Sequence, residues 1–241
     1  MLQLRDISKR YGSLQVIDHL SLDLAAGEAL GVIGPNGAGK TTLFSIIAGQ
    51  VTPDGGSVHF RGRDVSRQAP HQRCTAGMGR TFQVPRPFVG MTVFESARVA
   101  ALFGAALRGR QADDFALSVI ERTGLMGRLN TPCAELGLLD RKRLELTRAL
   151  ATDPVLLLLD EIGGGLTDQE IDQLIEILQG IRAQGIAIVW IEHIVHALTS
   201  FVERLMVINF GVKIADGKPG EVMALPQVHE IYMGLDADEC A

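Results

Sequence analysis

A chain of 241 residues with 46% apolar side chains can bury a sizeable core, and its 23 basic and 28 acidic residues leave a net charge of −5. That balance gives no reason to expect nucleic acid or an anionic lipid surface as the main partner. The best apolar runs, 155–159 and 185–191, are strand-sized and fall well short of the ~18 residues needed to span a bilayer, so any membrane role is expected to be peripheral. Cys74, Cys133 and Cys240 lie far apart with no C-x-x-C pair, which predicts reduced structural thiols in place of a disulfide framework or a zinc site. The opening residues Met1-Leu2-Gln3-Leu4-Arg5-Asp6 lack a charged-then-apolar layout, and the chain is expected to stay in the cytoplasm.

Residues 1–60 read as short strands with turn signals, wrapped around a glycine-rich loop. The strand candidate Ala29-Leu30-Gly31-Val32-Ile33 runs directly into Gly34-Pro35-Asn36-Gly37-Ala38-Gly39-Lys40-Thr41-Thr42, which fits G-x-x-x-x-G-K-[ST]. Glycines let a backbone wrap close to an anion, the following helix offers free N–H groups, and Lys40 adds a mobile positive charge. A nucleoside triphosphate is the ligand this pattern predicts. The loop's helix is expected over 40–48, and Gly55-Gly56 opens another strand at 57–60.

Between 85 and 136 the character turns helical. Thr92-Val93-Phe94-Glu95 reads as a capping box, apolar residues recur at helical spacing to about 107, and a second helix is predicted over 112–122. From 140 onward the chain alternates helix (140–151), strand (155–159), helix (168–183), strand (186–191), a further helix and strand (204–209). That alternation predicts a parallel sheet with crossover helices. A hairpin turns at Phe210-Gly211, a short helix is expected near 220–224, and the polar tail 236–241 is expected to fray.

Leu156-Leu157-Leu158-Leu159-Asp160-Glu161 is an apolar strand ending in two acids. In a P-loop fold such a strand brings Asp160 beside Thr41, where carboxylate and hydroxyl can hold Mg²⁺ against the phosphates. Glu161, one residue on, can act as general base or orient the attacking water. Ile191-Glu192-His193 is a strand leaving the core into a histidine. Alone it would be a structural cap; beside the other two features His193 reads as a γ-phosphate contact, and His196 as helix surface.

The P-loop, Thr81-Phe82-Gln83, Leu159-Asp160-Glu161 and Ile191-Glu192-His193, in this order and spacing, resemble the ATP-binding subunit of an ABC transporter over nearly the whole chain. Within that family the branched-chain amino-acid group is the most similar. The resemblance lies in Arg80-Thr81-Phe82-Gln83, Met91-Thr92-Val93, Arg143-Leu144-Glu145 and the ending from Phe210-Gly211 through Glu230-Ile231-Tyr232-Met233-Gly234-Leu235. It implies an α/β fold, a P-loop NTPase of the ABC ATPase type with a mostly parallel core sheet, an antiparallel β subdomain and a helical subdomain at about 86–152, all in one domain over 1–241. By the same resemblance Tyr11 stacks on adenine. Gln83 approaches Mg²⁺ and the attacking water while linking the helical lobe to the membrane subunit, and the apolar stretch 88–94 docks there. Catalysis then falls to Lys40, Gln83, Glu161 and His193, and metal binding to Thr41, Gln83 and Asp160. Nucleotide contacts come from Tyr11, the nine P-loop residues, Gln83 and His193, with ATP and Mg²⁺ as cofactors. The implied partners are transmembrane permease subunits, a second ATPase subunit and, indirectly, a solute-binding protein, with no nucleic acid; the implied location is the cytoplasmic face of the membrane.

The chain departs from the family at two places. Where the partner-facing L-S-G-G-Q signature is expected stands Leu136-Gly137-Leu138-Leu139-Asp140. Gly137 replaces a serine that bonds the γ-phosphate, Leu139 replaces a glycine, and Asp140 adds negative charge. One lost hydrogen bond to a charged group costs about 1.5–3 kcal/mol. After the paired acids, Ile162 stands for a proline, and Gly163-Gly164-Gly165-Leu166-Thr167 puts Thr167 in place of an aspartate, which weakens the expected cross-talk between the two nucleotide sites. The chain's own loop and acids are intact, so an asymmetric heterodimer with a sister ATPase is favoured, a homodimer being the alternative. The first functional reading is ATP hydrolysis driving import of branched-chain amino acids or a related small polar solute. Its alternatives are a nucleotide-gated, weakly hydrolysing partner subunit and, third, a non-transport ABC ATPase, which usually carries a long coiled-coil insertion or a second ATPase unit.

Overall fold

The computed structural model describes residues 1–231. The resemblance at Tyr232-Met233-Gly234-Leu235, the predicted tail and Cys240 lie outside them. The chain divides into two compact units, Met1–Pro70 joined by the chain from Val189 onward, and His71–Ile188.

The first unit opens with two long strands, β1 (Leu2–Tyr11) and β2 (Leu14–Leu24), of 10 and 11 residues, where the sequence suggested short ones. They look short in sequence because their alternation is broken. Leu2 and Leu4 are buried on even positions and Ile7 on an odd one; in the partner strand Leu20, Leu22 and Leu24 are even and Ile17 odd. Register shifts after Leu4 and around Ile7, with left-handed Asp6 (φ 54) and His19 (φ 49), insert the extra residues that turn all of these inward. The next strand, β3 (Ala29–Ile33), is buried at every residue and leads to helix α1 (Lys40–Ile47), after which β4 (Gly55–Phe60) and a two-residue β5 (Arg63–Asp64) complete an antiparallel sheet in the order β2-β1-β4-β5.

The second unit begins with α2 (Pro70–Thr75) and β6 (Met78–Arg80), two short elements that carry no periodic signal in the sequence. Helices α3 (Val93–Phe103), α4 (Arg110–Arg122) and α5 (Leu138–Leu150) follow. The capping box read from Thr92 and Glu95 is present, with Thr92 Oγ1 accepting from the Glu95 N–H and the Glu95 carboxylate accepting from the Thr92 N–H. These helices bury a shared cluster that includes Val93, Ala97, Ala116, Ile120, Cys133 and Leu144. Strand β7 (Leu156–Asp160) pairs parallel to β6, and α6 (Asp168–Arg182) leads to β8 (Ala187–Ile191), along which the chain returns to the first unit.

There, α7 (Val195–Phe201) precedes β9 (Arg204–Asn209), parallel to β3, and β10 (Val212–Gly217), antiparallel to β9. A short α8 (Pro219–Met223) follows near its predicted place, and the described chain is helical again over 226–231. The parallel pairs β3–β9 and β6–β7 match the expected parallel core; the near-continuous apolar runs of β3, β7 and β9 are what strands covered on both faces require.

Candidate functional site

The nucleotide-loop pattern forms a tight turn between β3 and α1. Gly34 (φ 156) and Gly39 (φ 103) hold backbone conformations that side chains rarely adopt. A Cβ on Gly34 would lie 2.0 Å from the Ile208 carbonyl oxygen, and one on Gly39 2.6 Å from that of Val16. Both glycines are therefore required by contact as well as by dihedral. The loop is fastened from outside by Gly211, whose N–H donates to Ala38 O at 3.0 Å. Lys40 is 5% exposed, and its Nζ donates to Gly34 O at 2.6 Å and Pro35 O at 2.9 Å. No side chain caps α1 and no acid stands in its first turn, so its early N–H groups remain available to an anion. Pro35 is half-buried, Asn36, Gly37 and Thr41 are exposed, and Thr42 is half-buried behind them.

In the same unit, Tyr11 closes β1 with half its surface exposed, and the Lys9 ammonium lies 5.5 Å from its ring centre while bonded to Asp54 at 2.8 Å. The Asp54 carboxyl is held below the ordinary aspartate value by the Lys9 side chain and by the Arg10 N–H. His193 is exposed just past β8, its backbone N–H donating to the buried Glu192 carboxylate at 3.0 Å.

The second unit gathers the remaining candidates. Asp160 ends β7 at 4% exposure, one oxygen accepting from Arg80 Nη2 at 2.8 Å. Its own N–H donates to Thr81 Oγ1 at 3.1 Å, while the Thr81 N–H donates to Leu158 O. Glu161 follows in a left-handed conformation (φ 46), uncommon for a non-glycine residue and typical of sites where the surroundings fix the backbone. The Gln83 side-chain amide donates directly to the Glu161 carboxylate, so the structure brings these two predicted residues together. Phe82, Val84, Phe88 and Val89 beside Gln83 are exposed, Val89 by 70%. That is an unusual concentration of apolar surface.

This chain matches the family described as ABC transporter over residues 17–163. It belongs to the ABC transporter family. This cassette is 34% identical to the high-affinity branched-chain amino acid transport ATP-binding protein LivG of Salmonella typhimurium, over 97% of the chain and 98% of that protein. It is 31% identical to the corresponding BraF of Pseudomonas aeruginosa, with the same coverage. The crystal structure of a nucleotide-free ATP-binding cassette from an ABC transporter superposes with a TM-score of 0.88 at 27% identity, covering 96% of this chain and 98% of that one. The cassette is accordingly an ABC ATPase, and the fold class read from the motifs holds.

Residues at both departures have local partners. Asp140 is no bare charge, because Arg128 Nε lies 3.2 Å and Arg143 Nη1 3.8 Å from its carboxylate. Of the three consecutive glycines, only Gly165 (φ 81) needs to be glycine by conformation, and a Cβ there would press within 3.2 Å of Leu138. Thr167 is occupied locally, capping α6 in a capping box with Glu170. Among the described residues no group of potential metal ligands clusters tightly enough to hold an ion by itself. Three buried charges in the second unit, Arg73, Lys142 and Glu145, were given no functional role by sequence reasoning. An opposite-sign pair at i, i+3 on a helix, Lys142 and Glu145, was the available signal, but surface pairs look the same in sequence.

Proposed function

We propose that this ABC ATPase hydrolyses ATP to energise import of branched-chain amino acids or a related small polar solute. It would act as one 1–241 domain with a helical subdomain at about 86–152, peripheral on the cytoplasmic face of the membrane. The observation that carries the hydrolytic reading is the Gln83–Glu161 side-chain pair held at the end of β7 next to the buried Asp160. The solute class rests on the names of relatives aligned nearly end to end. Among the described residues no helix is long and apolar enough to cross a membrane, which fits a subunit that works through separate permease chains. The apolar surface around Val84, Phe88 and Val89 is the docking face this reading assigns to them.

The residues fit MgATP by their chemistry. The cradle at Gly34 and Gly39, which any Cβ would fill, suits a polyphosphate, and Lys40, which donates to the carbonyls of Gly34 and Pro35, would turn its ammonium to phosphate oxygens. Thr41, Gln83 and Asp160 would offer the hard oxygen donors that Mg²⁺ selects, and Mg²⁺ when bound would supply charge neutralisation across the phosphates. Glu161 accepts the proton of, or orients, the attacking water. Gln83 positions that water, and His193 stabilises the departing γ-phosphoryl charge. Tyr11 offers its ring to adenine.

A sister subunit with a complete signature is favoured as the second ATPase, because the segment this chain presents, 136–140, lacks both the serine hydroxyl and the second glycine. The nucleotide-gated alternative follows from that same segment. Reconstitution of the chain with its permease and sister subunits in vesicles tests both readings. Solute uptake that needs hydrolysable ATP and stops with Glu161→Gln supports the proposal, whereas uptake unaffected by that substitution overturns it.

A further inference from the structure

Helix α5 buries two opposite charges, Lys142 and Glu145, at 4% and 3% exposure. Charges are almost never buried so deeply unless specific partners compensate them, and the partners here lie on two other segments of the same unit and, for Glu145, also on α5 itself. Lys142 Nζ donates to the backbone oxygens of Gln83 at 3.0 Å and Glu161 at 3.1 Å. Glu145 Oε1 accepts from the Arg86 N–H at 3.0 Å and from Arg148 Nη1 at 2.8 Å. The helix thus grips the segment leaving β6 at two points three residues apart. Its cation also holds the carbonyl of Glu161, whose φ of 46° is left-handed. Such a backbone persists only where the surroundings over-determine it, and the Lys142 ammonium is a contact that does so.

We propose that Lys142 is a positioning residue for hydrolysis. Its ammonium clamps the main chains of Gln83 and Glu161 in the geometry that pairs their side chains, and Glu145 anchors the same segment at Arg86. The proposal rests on the reading of Gln83 and Glu161 as hydrolytic residues. Its consequence is a coupling route: Lys142 lies one turn from Leu138, where α5 begins within segment 136–140. A rigid helix displaced at that end carries Lys142 with it. Engagement of a partner's nucleotide by the segment therefore alters the Gln83–Glu161 pair of this chain, even though Thr167, at the position otherwise expected to carry cross-talk, is spent on capping α6.

The test uses the full chain with its sister and permease subunits, comparing Lys142→Met, Lys142→Arg and Glu145→Gln by steady-state ATPase kinetics and by amide hydrogen exchange. Lys142→Met is expected to lower kcat on the order of 10- to 100-fold, the scale of a small misplacement in a reacting geometry, with KM moved by no more than about twofold. Exchange should accelerate at 83–86 and 161–165 while α1, β3 and β9 stay protected. Lys142→Arg should recover most of kcat, and Glu145→Gln should give a smaller loss with faster exchange centred on Arg86. Unchanged kcat with unchanged local exchange in Lys142→Met overturns the proposal. So does a loss of protection spread over 71–188 that arginine fails to rescue, since that marks general packing. Wild-type turnover by Glu161→Gln overturns the hydrolytic reading instead, and the exchange data then still decide whether Lys142 holds the two backbones.

Discussion

The starts of α1 and α5 are built alike and charged oppositely. Each helix follows a glycine at its N-cap, Gly39 or Gly137, and neither has a side-chain cap. Gly39 is forced by a φ of 103° and a backbone oxygen 2.6 Å from any Cβ, whereas Gly137 lies at φ −66° with open space around it. The first turn of α1 carries no acid; that of α5 carries Asp140, already paired with Arg128 and Arg143. A helix N-terminus by itself is thus a weak specification for an anion. At α1 the preceding loop adds a glycine cradle and the first helical residue is the buried Lys40, whereas the start of α5 has neither.

The largest expected effect falls on the chemistry. Glu161→Gln should cut ATP turnover by about 10²- to 10⁴-fold, the usual worth of a positioned general base, while binding of a fluorescent ATP analogue persists; full turnover would remove Glu161 from the mechanism. Next comes the loop itself. Lys40→Ala should weaken Mg-nucleotide binding about 10- to 100-fold in calorimetry, matching the loss of a charged hydrogen bond. Gly39→Ala, with its clash against Val16, should cost about 1–3 kcal/mol in denaturant unfolding, while Gly137→Ala stays within about 0.5 kcal/mol of wild type. Equal costs at the two glycines would erase the contrast between the helix starts.

A smaller effect would sharpen it. Gly137→Ser restores a hydroxyl at an N-cap already in extended conformation. It should raise turnover at the composite site with the sister subunit by up to about tenfold, one hydrogen bond to a charged phosphate, with fold stability moved by only a few tenths of a kcal/mol. The smallest effect lies away from both helix starts. Burial pushes the Asp216 carboxyl up, but hydrogen bonds from Arg204 and Lys213 prevail and hold it below its ordinary value of 3.8. The ion pair therefore contributes stability above that pH and loses it as pH falls through the folded-state value. Asp216→Asn should cost about 1 kcal/mol or less at neutral pH, given its partial exposure, and nothing measurable once the carboxyl is protonated in acid. A cost that grows on acidification would refute the assignment.

Much of this was legible in the chain. Lys40 and its glycines, Asp160 and Glu161 after four leucines, and the capping box at Thr92 are local arrangements, and local chemistry specifies them. Strand β9 (Arg204–Asn209) fell where its apolar run predicted. The bulges at Asp6 and His19 were not legible, because they scramble the period-two alternation that marks a strand. Nor was β6, whose three residues Met78–Arg80 take their place from β7. Thr167 read as a defect in one motif and proved to be the keystone of another.

The sequence by itself determined that this chain is an ABC cassette carrying a glycine-rich loop with Lys40 and the paired acids Asp160 and Glu161, because each of these is written in contiguous residues. Only the tertiary structure decided that Gln83 bonds Glu161, that Arg80 bonds Asp160, and that Lys142 holds the carbonyls of Gln83 and Glu161 from a buried helix face. Those contacts join residues 19 to 80 positions apart. Charge and spacing along a chain carry no record of which distant partner a buried ion will meet once the core closes around it.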